Sequence, residues 1–198
     1  MTKQEWEQEL RWIQEDGATL SPGLSERQLR AAEKAHGFQF PPDLRSFLSC
    51  VLPASPQHPD WREPNSESLR EWMADPWLGV AFDIENNAFW WNDWGPRPEE
   101  LGEALAKAKH HFAQVPRLIP VYGHRFLPSE PLLAGNPVLS VVQTDVIYYG
   151  TDLRNYFANE HCKTSEGRVI DLSRRRRIRF WSDLIESPPT DTGPDGCG

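Results

Sequence analysis

The segment 83–94, DIENNAFWWNDW, gathers three carboxylates (Asp83, Glu85, Asp93), three amides and three indoles (Trp90, Trp91, Trp94) within one short stretch. On a strand, Asp83 and Glu85 lie two residues apart and point the same way. Paired carboxylates work as general acid and base only inside a cleft, and otherwise form an exposed acidic edge. Rigid indoles interleaved with acids suit a protein-binding surface, where the rings supply contact area and the acids steer a basic partner. One or two of the indoles are expected in the core. We expect Trp90 or Trp91 to be buried, with Asp93 and one indole accessible.

His124 follows Tyr122 and Gly123 at the end of a predicted strand. At such a position an imidazole either meets a ligand or serves as a hydrogen-bonded structural residue. His110 and His111 are adjacent, so a helix turns them about 100° apart and they cannot share a metal. The chain has no GxxxxGK[ST] phosphate loop, no HExxH, no GxSxG elbow and no CxxC pair. No metal and no cofactor is expected.

Charge narrows the partner. The formal net charge is −8, which disfavours binding by phosphate neutralisation and suits a basic protein partner or a simply solvated acidic surface. Arg174, Arg175, Arg176, Arg177 and Arg179 form the one strong basic run. A short basic run on an acidic protein either contacts phosphate or, the commoner outcome, pairs with the chain's own carboxylates. The three cysteines, Cys50, Cys162 and Cys197, show no paired spacing, as expected in a reducing compartment. The charged opening MTKQEWEQELRW is no signal-peptide core, and no stretch approaches 18 consecutive apolar residues, so a cytoplasmic, non-membrane location is expected.

The elements that must position these residues can be read in order. Trp6, Leu10 and Ile13 share one face of a first helix that Gly17 can terminate. Ser25 followed by Gln28 has capping-box spacing, so a second helix starts at Ser25 or Glu26 and stops at Gly37. Leu44, Phe47, Leu48 and Val51 define a third helix behind Pro41 and Pro42, packed as a hairpin on the second. Four prolines make 52–65 a surface loop, in which Trp61 either folds back on the body or waits for a ligand. Leu69, Trp72 and Met73 suggest a short helix, and LGVAFDI reads as a strand. Leu101, Leu105, Ala108 and Phe112 give a further helix, expected to connect two strands. RLIPVY is a strand, and VLSVVQ and VIYYG form an antiparallel hairpin across Thr144 and Asp145. Thr151 or Asp152 can cap a helix carrying Leu153, Tyr156 and Phe157, and IRFW leads to a last short element near Glu186. The tail 187–198, rich in Pro, Gly, Thr and Asp, is expected to be disordered.

Two blocks, GLSERQLRAAEKAHGFQFPPDLRSFLS and RLIPVYGHRFL followed by VLSVVQTDVIYYGTDLRNYFAN, resemble the helical opening and the sheet core of the SUKH superfamily (Smi/Knr-type domains). That superfamily includes fungal cell-wall-synthesis regulators and many bacterial immunity proteins. The resemblance covers most of 24–186. It departs at Phe40-Pro41-Pro42, where a Leu-Pro is usual, and in the Pro-rich arm, where a Gly-rich loop is common. What it implies is an α+β domain over 1–186, with a mixed, mainly antiparallel sheet of five or six strands backed by N-terminal and intervening helices.

The resemblance further implies a non-enzymatic protein-binding module, an antitoxin that blocks a basic toxin domain such as a nuclease by steric and electrostatic means. Composition agrees, because an acidic inhibitor can cover the basic site that a nuclease keeps for phosphate. The expected partner-binding residues are Asp83, Glu85, Asn87, Trp91, Asp93, Trp94, Tyr122, His124 and Asp145. Two other readings stand beside this one: a scaffold of cell-wall or signalling type, and a hydrolase using His124 with Asp83 or Asp145.

Overall fold

A computed structural model describes residues 3–162 and 171–186. The expected disordered tail, 187–198, lies outside the described residues, as does Cys197. The chain is α+β: seven α-helices accompany six strands that divide between two antiparallel sheets, among the described residues. None of those helices is long and apolar enough to cross a membrane.

Helix α1 (Glu7–Glu15) buries Leu10 and Ile13 as their spacing predicts, with Trp6 buried in the short turn before it. Helix α2 (Glu26–His36) starts at a full capping box, in which the Ser25 hydroxyl accepts from the Gln28 backbone N–H and the Gln28 side chain accepts from the Ser25 backbone N–H. It ends at Gly37 in the left-handed region, φ 66°. Helix α3 (Pro42–Cys50) follows the double proline.

Between and after them, β1 (Thr19–Pro22) and β2 (Val51–Ala54) pair as a small antiparallel sheet. The Pro-rich arm therefore begins later than its prolines suggest, because Pro53 sits in β2 opposite Leu20. Trp61 folds back: it is fully buried, edge-on to Phe40 at 5.1 Å and to Phe38 at 6.0 Å.

The reading of LGVAFDI as a strand is corrected. Residues Glu67–Asn86 form one 20-residue helix, α4, capped by the Ser66 hydroxyl on the Leu69 N–H. Apolar residues at 78, 80, 82 and 84 do alternate, but Val80 and Ile84 also continue the helical stripe that buries Leu69 and Pro76, and that longer stripe prevails. Helix α5 (Leu101–Phe112) consequently does not connect two strands: it joins α4 to the main sheet.

That sheet is a four-stranded antiparallel meander of β3 (Leu118–Tyr122), β4 (Arg125–Pro128), β5 (Val138–Val142) and β6 (Asp145–Gly150), adjacent in chain order. Helix α6 (Leu153–His161), capped by Asp152, and α7 (Trp181–Glu186) complete the chain. Strand alternation gives the sheet two faces. Leu118, Phe126, Leu139, Val141, Val146 and Tyr148 join α4, α5 and α7 in one apolar cluster. Ile119, Leu127 and Val138 point the other way, into a second cluster with α1, α2, α3 and α6. Each cluster holds many of the chain's aromatic rings, and the sheet is the wall they share.

Candidate functional site

The helical layer covers only part of the second sheet face. Arg125 pairs with Ser140, Ser140 with Ile147, and Val142 with Asp145, so these five residues share that face with Tyr149. Near β3 and β4 it is roofed; toward the end of the β5–β6 hairpin it is bare. Val142 is 52% exposed and Ile147 50% exposed, and Asp145 beside them is exposed.

Helix α4 runs across this end of the sheet. Near its start, the Trp72 indole N–H donates to the Gly123 carbonyl in the β3–β4 turn at 2.8 Å. Further along, Gly79 meets the β5–β6 turn so closely that a Cβ there would stand 2.6 Å from the Gln143 Cα. One turn on, Asp83 accepts from the Thr144 backbone N–H at 2.8 Å, from its hydroxyl at 2.6 Å and from the Asn87 side chain at 2.6 Å. Gln143, with φ 57°, makes the tight turn that presents Thr144 to this carboxylate. Leu78 and Phe82, one residue before Gly79 and Asp83, are left 56% and 46% exposed on the same helix. The Val141 N–H donates to the His124 carbonyl at 3.0 Å, which sets His124 opposite Val141. Two pairs of apolar side chains are thus left uncovered, Leu78 and Phe82 on the outer side of the helix and Val142 and Ile147 on the second face of the hairpin, and the acids Asp75, Glu85 and Asp145 on the same elements are exposed.

Among the expected partner-binding residues, Tyr122, His124 and Asp145 therefore lie on or beside this end of the sheet. Glu85 and Asn87 are exposed at the end of α4, and Asp93 is exposed beyond it. Two expectations are corrected. Asp83 is 3% exposed and fully engaged by Thr144 and Asn87, so it is the tie between helix and hairpin, unavailable to a partner. Glu85 does not point with it, because two residues on a helix diverge by about 200°.

Trp94 is 4% exposed, stacked at 6.3 Å on His111 and at 6.1 Å on Phe180, and belongs to the first apolar cluster. Trp91 is half-buried against Phe180 at 5.4 Å, away from the hairpin, and Trp90 is half-buried rather than buried. The side chains that sequence reasoning missed are Leu78, Phe82, Val142 and Ile147. Their signal was present: the alternation that made 78–84 look like a strand comes from two apolar residues the core does not use.

Below Tyr122 lies a polar pocket of about 260 Å³ lined by Asp16, Ser55, His58, Tyr122 and His161. His161 is 2% exposed, and its Nδ1 lies 2.9 Å from the Asp16 carboxylate. The His58 Nδ1 pairs with the Ser55 hydroxyl at 2.8 Å, and the two imidazoles lie nearly parallel at 6.3 Å. Burial, and secondarily the neighbouring His161, push the His58 pKa down to about 4. Tyr122 is raised by burial and then by Asp16, while partial burial and the Arg125 guanidinium lower His124. No group of three or more His, Cys, Asp or Glu side chains among the described residues is placed to hold a metal ion.

The arginine run follows the commoner expectation for such runs. Arg175 and Arg177 pair with Glu186, Arg177 also with Asp183, and Arg176 donates to Asn136. The Arg175 and Arg177 contacts lash the segment before α7 to its own helix, and the Arg176 contact ties it to the loop before β5. Comparison with protein-family models, with curated proteins and with solved structures returns no match.

Proposed function

We propose that the chain is a protein-binding module that neutralises a basic partner, in the manner of the immunity proteins of the SUKH superfamily, by covering the partner's working surface. The observation that carries this reading is the exposure of Leu78 and Phe82 on α4 and of Val142 and Ile147 on the hairpin that α4 clamps, with the exposed acids Asp75, Glu85 and Asp145 on the same elements. Four large apolar side chains about half exposed on two abutting elements cost hydration free energy, roughly 25 cal/mol for each Å² left in water. Such a patch, bordered by charge, marks an interaction surface. The acids at its border and the net charge of −8 attract a cationic domain, and the apolar centre holds it once docked. A toxin nuclease, whose own site must be cationic to hold phosphate, fits both features. Blocking is then steric and electrostatic and needs no turnover.

The test is capture of the tagged protein from its native cell at low and moderate salt, alongside the double variant Phe82→Asp, Val142→Asp. A stoichiometric basic companion that is released by salt and lost by the double variant is the expected outcome. A companion retained unchanged by that variant sinks the assignment of the surface, and a companion of acidic character sinks the proposed mode of blocking.

A further inference from the structure

A second cleft lies on another part of the molecule, between α4, α5 and the start of β3, with a volume of about 400 Å³. This falls within the usual range for small-molecule sites, about 300–1,000 Å³. Its wall is aromatic. Trp77 and Phe112 lie 5.4 Å apart, Phe112 meets Trp181 edge-on at 5.8 Å, and Met73 lies alongside. Trp181 is fully buried behind these rings, its indole N–H donated to the Pro116 carbonyl at 2.7 Å, so it forms the apolar floor of the cleft. Trp77, Phe112 and Met73 are each only half-buried, although all belong to or pack on the core.

The polar lining is one-sided. Lys109 holds its ammonium 5.9 Å from the centre of the Trp77 ring, and Arg117 extends from the segment before β3 with one N–H on the His36 carbonyl. Neither cation has a carboxylate partner among the described residues, and no Asp or Glu lines the cleft. In a chain with 29 acids against 21 bases, an acid-free aromatic cleft with two unpaired cations is the reverse of the surrounding surface.

We infer that this cleft binds a small amphipathic carboxylate, with its aromatic or aliphatic body among Trp77, Phe112 and Trp181 and its carboxylate toward Arg117 and Lys109. The body removes half-exposed rings from water, and the anion supplies the partner that neither cation has. The guanidinium can take a carboxylate through two parallel hydrogen bonds, while the ammonium acts as a point charge. The inference is independent of the protein-binding reading, since the cleft is lined by none of Leu78, Phe82, Val142 and Ile147.

The experiment is isothermal titration of the full chain with 4-phenylbutyrate and with its neutral twin, 4-phenylbutanamide, together with indole N–H chemical shifts. The acid is expected to saturate at millimolar concentration or below, to shift the Trp77 and Trp181 signals, and to bind at least about tenfold more tightly than the amide, roughly 1.4 kcal/mol. Lys109→Gln, on an exposed helix position, and Arg117→Gln are expected each to narrow that gap while thermal unfolding stays near wild type. Equal affinity for acid and amide overturns the inference. So does an absence of saturation up to about 10 mM, or shifts confined to indoles outside the cleft.

Discussion

Asp83 shows how a single carboxylate can hold two elements in register. It takes three hydrogen bonds inside an apolar setting, and one of them satisfies a backbone N–H at the tip of a hairpin. Hydrogen bonds to a charged group contribute about 1.5–3 kcal/mol each, and their loss leaves the partly buried Thr144 donors without their acceptor. Asp83→Ala is expected to lower the free energy of unfolding by about 3 kcal/mol, measured by urea denaturation; a loss below about 1 kcal/mol would show that the hairpin stands without its tie. His58 works in the opposite sense, as a base the fold prefers to keep neutral. The unfolded chain protonates this side chain near pH 6.5, whereas the folded chain resists until about pH 4. Its contribution is therefore complete above pH 6.5 and falls by on the order of 3 kcal/mol as the pH drops toward 4. His58→Gln, which keeps a hydrogen-bonding end for Ser55, is expected to flatten the stability curve across that window relative to wild type.

Helix α4 decides what the surface looks like. Its stripe of Leu69, Pro76, Val80 and Ile84 seals the core, its Gly79–Asp83 flank clamps the hairpin, and what is left over, Leu78 and Phe82, faces water. Gly79 is not a weakness in this helix but the condition of its close approach to Gln143. Gly79→Ala adds helix propensity of about 1 kcal/mol, yet it sets a methyl 2.6 Å from backbone, and overpacking costs about 1–3 kcal/mol. The expected outcome is a net lower melting temperature together with weakened capture of the proposed partner, because helix and hairpin lose their alignment. A variant of unchanged or higher melting temperature would mean that helix and hairpin slide apart at little cost. The helix was half legible: Ser66 as cap, with Leu69, Trp72 and Met73 behind it, marks its start. Its continuation was hidden, because exposed apolar residues, Leu78 and Phe82, corrupt the periodicity on which any reading of burial rests.

At the scale of the whole molecule, two apolar clusters lie back to back on one four-stranded sheet, and each strand of the meander from β3 to β5 lends residues to both. Neither cluster can dissolve without unroofing the other, so the chain is expected to unfold in one transition. Far-ultraviolet and near-ultraviolet circular dichroism, the latter dominated by indoles in both clusters, are predicted to give coincident midpoints, and separated midpoints would disprove the coupling. The sequence by itself determined the capped ends of α2 at Ser25 and Gly37, the β5–β6 hairpin and the α6 and α7 segments, whereas it left the place of Trp61 open. Each follows from local chemistry or from periodicities that burial imposes along a continuous stretch. Tertiary structure alone decided that Asp83 is a buried tie, that Trp94 is core, and that Leu78 and Phe82 on α4 and Val142 and Ile147 on the hairpin are left exposed. Those outcomes depend on which residue lies across from which, 61 positions away in the case of Thr144 and Asp83, and chain-local patterns carry no information about that distance.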